Sequence, residues 1–119
     1  MIDSRELASR RCAGCSRQTP RLTLPQIREY LPAVPLWHLT ADGLKIARSW
    51  KVRDFAAALE FFERIRELAD AEDHHPDLHL VGYRHVTLEF WTHAAGGLTE
   101  YDFILAAKVD ALPPPATAK

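Results

Sequence analysis

Between Asp54 and Asp73 apolar residues return at three- and four-residue steps: Phe55, Leu59, Phe62, Ile65 and Leu68. That period puts them on one side of a helix, with Glu60, Glu63, Arg64 and Glu67 on the other. Asp54 offers an N-cap for this helix. Its end falls near Asp73, because Pro76 drives His75 away from helical backbone. A helix with one apolar stripe needs an apolar face to cover. The chain from Arg84 supplies it by strict alternation. Val86, Leu88 and Phe90 point one way, and His85, Thr87, Glu89, Trp91 and His93 the other.

The remaining elements arrange themselves around this pair. Leu24 to Leu31 reads as a short helix, capped by Thr23 and tolerating Pro25 in its first turn. Leu36 to Thr40 and Leu44 to Val52 flank the turn signal Asp42-Gly43 and read as a hairpin. Leu78 to Val81 is a short strand turning at Gly82, and Gly96-Gly97 breaks the long strand. Thr99 and Asp102 have the spacing of a capping box, opening an apolar helix from Phe103 to Val109. The order α-β-β-α-β-β-α predicts a two-layer α+β domain, a four-stranded antiparallel sheet with helices on one face. The domain is expected over residues 22–112. Residues 1–21 read as a flexible extension holding Cys12-x-x-Cys15, and 113–119 as a disordered Pro-rich tail.

Composition closes off several functions. A net charge of −1 with no basic face argues against a phosphate-driven nucleic-acid binder. No apolar run approaches the roughly 20 residues a membrane span requires. Residues 1–11 mix Asp3 and Glu6 with Arg5, Arg10 and Arg11 and lack an apolar core, so a cytoplasmic location is expected. One C-x-x-C is too little for a disulfide framework and supplies two of the four ligands of a tetrahedral zinc site.

The chemistry-bearing segment is Asp73-His74-His75-Pro76-Asp77. It follows a helix end, where free carbonyls and two carboxylates favour imidazolium, and imidazole titrates in the range useful for general acid–base work. In an irregular turn both histidines can enter one pocket. His93, beside Trp91 at the end of the long strand, is the third candidate, and the Trp91 ring offers a flat stacking surface. A solvated, capping His-His pair and a strand-end His93 are the plainer readings from spacing alone. His38, His79 and His85 read as surface or turn residues, Trp37 and Trp50 as packing residues, and Asp102 as the N3 partner of a helix start. Trp91 equally suits an oligomer interface.

Asp70-x-x-x-His74-His75-Pro76, Tyr83, Thr92-His93 and Gly97-Leu98-Thr99-x-x-Asp102 together resemble the signature of the pterin-4a-carbinolamine dehydratases. Trp37 after a proline-rich stretch, the Phe-rich helix, the ending Asp102-Phe103-Ile104-x-Ala106-Ala107 and the leading C-x-x-C extend the likeness to bacterial members, over about residues 12–110. The resemblance implies dehydration of 4a-hydroxytetrahydropterin to the quinonoid dihydropterin, recycling the cofactor of an aromatic amino acid hydroxylase, in a homo-oligomer, dimer or tetramer. It implies His74, His75 and His93 as catalytic residues, and Asp102 as the acidic partner near the third histidine. Asp73, Pro76, Trp91 and Thr92 join Asp102 as expected substrate-binding residues. The dehydration it implies requires neither metal nor other cofactor. Because an animal member also dimerises a transcription factor, a non-enzymatic protein-binding module is the alternative. Two departures stand out: Asp70 where many members carry Glu, and one extra residue between His75 and Tyr83.

Overall fold

A computed structural model describes residues 2–10 and 20–117. The helices are α1 (Ser4–Ser9), α2 (Leu24–Tyr30), α3 (Phe55–Glu72) and α4 (Glu100–Ala111). The strands are β1 (His38–Leu39), β2 (Ile46–Lys51), β3 (Asp77–Val81) and β4 (His85–Phe90). They form one antiparallel sheet in the order β1-β2-β4-β3. The expected α+β architecture is therefore present, preceded by one more helix.

Register explains the one-sided core. Arg48 and Leu78 both lie opposite Leu88, and Trp50 and Leu80 opposite Val86, so these residues share a face. Val86, Leu88 and Phe90 are fully buried there against Phe61, Ile65, Phe103 and Leu105 of the helices. Each such side chain contributes roughly 1.5–3 kcal/mol on burial. The opposite face stays polar, with Ser49 and Thr87 sharing a hydroxyl hydrogen bond of 2.8 Å across β2 and β4. Trp37 packs inside as expected, and its indole N–H donates to Asp110 at 2.9 Å.

The buried stripe of α3 is not the one its large residues suggest. Phe55 and Leu59 are about half exposed (52% and 49%), whereas Ala57, Ala58, Phe61, Ile65 and Ala69 are buried. Three of the five buried residues are alanines, so Phe61 and Ile65 supply the volume of the buried stripe, while Phe55 and Leu59 turn outward. The Asp54 cap is as expected, its carboxylate accepting the Ala57 amide at 2.8 Å. That amide and neighbouring Arg53 lower the Asp54 pKa from its ordinary value.

Two terminal expectations are corrected. Within the extension expected to be flexible, Asp3 caps α1, and Leu7 is completely buried. α1 lies along α4, where Lys108 Nζ donates to the Ala8 carbonyl at 2.8 Å and the Arg10 guanidinium to Glu100 at 2.8 Å. Leu7, with Ile2 and Ala8 packed beside it, and the flanking charges dock this short helix on the core. Cys12 and Cys15 fall outside the described residues. At the other end the prolines do stop α4, but the chain beyond runs extended rather than loose. Pro115 is buried, Arg53 N–H donates to the Ala116 carbonyl at 2.7 Å, and Thr117 bridges Val52. Deleting residues 113–119 is expected to cost about 1–2 kcal/mol, the net worth of one or two hydrogen bonds. Urea unfolding measures this directly, and an unchanged midpoint would show that the strap adds nothing.

Candidate active site

The site begins with how α3 ends. Asp73 adopts the left-handed conformation (φ 51°, ψ 42°), which Asp tolerates better than most residues. Its N–H returns to the Asp70 carbonyl at 3.3 Å and that of His74 to Ala69 at 3.1 Å, the paired bonds of a Schellman motif. The reversal separates two adjacent histidines. His74 turns inward, 7% exposed, with its ring parallel to Phe90 at a centroid distance of 6.3 Å. His75 stays outside, its Nε2 2.9 Å from Asp70 Oδ1. That contact and then Arg66 hold the Asp70 carboxyl below its ordinary pKa. Asp70 therefore does reach the second histidine, despite being shorter than Glu.

His93 comes from the opposite side. Strand β4 runs on through Trp91 to Thr92, whose amide and carbonyl pair with Gly97. The loop between them is a tight helical turn closed by Gly96 at φ 69°, a conformation suited to glycine. It presents an exposed His93 whose ring contacts Trp91 at a centroid distance of 3.8 Å. The indole N–H of Trp91 donates to Asp77 Oδ2 at 3.1 Å, and Lys45 Nζ lies 3.6 Å from the same oxygen. Trp91 is thereby fixed as a wall.

These two segments enclose an open pocket of about 290 Å³, lined by residues 73–77 and 91–94. His74, His75, His93, Asp73, Pro76, Trp91 and Thr92, each singled out from the sequence, all line it. Asp102 does not. It is fully buried behind the wall, and its partner is the first histidine rather than the third: His74 Nε2 lies 2.6 Å from Asp102 Oδ1. A carboxylate offers Nε2 an acceptor, so in this pairing Nε2 donates and Nδ1 is the ring nitrogen left for the pocket that His74 lines. Asp77, which closes the histidine segment, and Ala94 complete the lining, neither having been expected to bind substrate. The signal for Asp77 was parity, since it lies opposite Glu89, two residues from Trp91. Between His75 and Tyr83 strand β3 pairs regularly with β4, and the chain turns at Gly82-Tyr83, both with positive φ, at the far end of the hairpin from the pocket.

Fold and site together define a small α+β protein whose pocket brings three imidazoles and an aromatic wall to one ligand-sized space. Residues 20–112 match the family Pterin 4 alpha carbinolamine dehydratase. The chain is 46% identical over 110 residues to "Pterin-4-alpha-carbinolamine dehydratase 2, mitochondrial" of Arabidopsis thaliana, covering 90% of this chain and 59% of that longer protein. It is 44% identical over 106 residues to a provisionally named pterin-4-alpha-carbinolamine dehydratase of Halorhodospira halophila, covering 89% of this chain and 96% of the relative. A Brucella melitensis crystal structure, described as a transcriptional coactivator/pterin dehydratase, superposes with a TM-score of 0.70 at 34% identity, over 76% of this chain and 96% of that one. The chain belongs to the pterin 4 alpha carbinolamine dehydratase family.

Proposed function

We propose that the protein is a 4a-hydroxytetrahydropterin dehydratase, a hydro-lyase acting by histidine general acid–base catalysis. The observation that carries this reading is the convergence of His74, His75 and His93 on one pocket beside the Trp91 ring. Its volume is at the small end of the range for ligand pockets, and a flat bicyclic heterocycle suits it.

The reaction cleaves the C4a–O bond, removes the N5 proton and forms a C4a=N5 double bond, with water as the other product. Two proton transfers are needed, one onto the departing hydroxyl and one away from N5. His74, its Nε2 proton committed to Asp102 and its Nδ1 lone pair open to the pocket, takes the N5 proton. His93, on the facing loop and against Trp91, delivers a proton to the hydroxyl. His75, tied back to Asp70, orients the ring, with Asp73, Pro76 and Thr92 shaping the floor. Nitrogen lone-pair donation from N5 assists departure of the hydroxyl, so the two histidines need supply only the proton transfers.

We further propose a homo-oligomer working in the cytoplasm and supplying an aromatic amino acid hydroxylase with recycled pterin. Half-exposed Phe55 and Leu59 on α3, and Val81 and Leu78 on edge strand β3, support self-association. Among the described residues no helix is long and apolar enough to cross a membrane. The deciding experiment is stopped-flow absorbance of enzymatically generated 4a-hydroxytetrahydropterin. Accelerated decay with catalytic amounts of protein is expected; decay at the buffer rate would overturn the assignment.

A further inference from the structure

Asp102 sits at the third position of α4, fully buried, and three donors converge on its two oxygens. Oδ1 faces His74 Nε2 at 2.6 Å. Oδ2 receives the Thr92 hydroxyl and the Thr99 amide, each at 2.9 Å. A hydroxyl has one proton, and Thr92 must spend it on a carboxylate that has none to return. The 2.9 Å contact between the Thr92 and Thr99 hydroxyls therefore runs in one direction only: Thr99 donates and Thr92 accepts. The Asp102 amide donates to the Thr99 backbone carbonyl at 3.2 Å. Every proton in the cluster has one allowed place, and both threonines are buried.

We infer that Thr99 and Thr92 form a one-way hydroxyl relay that positions the base, anchoring Oδ2 so that the Asp102 carboxylate presents Oδ1 to His74, which then keeps its proton on Nε2 and its lone pair in the pocket. The role assigned to His74 rests on the dehydratase reading; the relay itself rests on geometry alone. It joins three elements, the end of β4, the start of α4 and the turn after α3, so the cap of one helix sets the tautomer of a histidine that follows another. Both threonines act through Asp102 and are positioning residues.

The test pairs imidazole ¹⁵N chemical shifts of His74 with steady-state kinetics in wild type, Thr92→Val, Thr99→Val and the two serine counterparts. Wild-type His74, when neutral, is expected to show the Nε2–H tautomer. Each valine variant is expected to mix the tautomers and lower kcat roughly tenfold to a hundredfold, the worth of one hydrogen bond to a charged group, with little change in KM. Serine, which restores the hydroxyl and not the methyl, is expected to restore both readouts. An Nδ1–H tautomer in wild type overturns the relay whether or not the valine variants fold. So do folded valine variants with wild-type spectra and kcat, or serine variants as impaired as valine. An Nε2–H tautomer in a protein that does not accelerate dehydration would sink the dehydratase reading and leave the relay standing.

Discussion

His74→Ala is expected to lower kcat for 4a-hydroxytetrahydropterin dehydration about 10²- to 10⁴-fold, the usual contribution of a positioned general acid or base. The loss follows from geometry. His74 is the one imidazole whose two nitrogens are assigned separate tasks, Nε2 to Asp102 and Nδ1 to the pocket, and no neighbouring side chain duplicates it. Its removal also deprives Asp102 of a donor, so some stability is lost as well. His93→Ala is the cleaner companion. Its ring is exposed and has one packing contact, on Trp91, so the expected loss of kcat comes with an unchanged melting temperature. His79, hydrogen-bonded to Glu89 on the open face of the sheet, lies outside the pocket and serves as the control; His79→Ala should retain wild-type turnover. Stopped-flow kinetics with circular dichroism on the three variants checks this. Full activity in either His74→Ala or His93→Ala would remove that residue from the mechanism.

The sequence carried the fold further than it carried the contacts. Alternation in β4 and the caps at Asp54, Thr23 and Thr99 are local signals, each decided by a residue and its neighbours within one turn, and all appear in the structure. The face of α3 is a tertiary matter. By size Phe55 and Leu59 belong inside, yet Ala58 and Ala69 are the buried residues, and hydrophobicity alone does not report which side of the helix is covered. The terminal segments misled for a similar reason. Leu7 and Pro115 have no local periodicity, and their burial depends on partners 100 residues away in α4 and some 60 away at the β2–α3 junction.

The site divides in the same way. The helix end before the histidines was legible in Pro76, and Trp91 and His93 were legible as neighbours on one strand end, whereas the left-handed Asp73 that parts His74 from His75 was not. The pairing of His74 with Asp102 spans 28 residues and two helices, and nothing in the spacing selects His74 over His93 as its partner. Only the packing of α4 behind the pocket does. The family signature named residues that line the pocket or lie behind it, but not which of them touch.

That pairing yields the second large effect. Asp102→Ala strips acceptors from a buried imidazole N–H, a buried hydroxyl and a helix-start amide at once, and is expected to destabilise the fold by about 3–5 kcal/mol, as breaking a buried ionic contact does. Asp102→Asn separates stability from catalysis. The Oδ2 position receives two donors, from Thr92 and Thr99, so the amide oxygen must take that position and its NH₂ must face His74. Nε2 is then compelled to accept, and the imidazole proton moves to Nδ1, into the space where the N5 proton should be received. The side chain keeps its volume and most of its bonds, so urea unfolding should show a smaller loss than for alanine. Turnover should nonetheless fall steeply, by up to about 10⁴-fold, the scale seen when a tautomer-fixing carboxylate becomes an amide in serine hydrolases. A folded Asp102→Asn protein with wild-type kcat would mean that His74 does not act through Nδ1, and the base would have to be sought at His75 or His93.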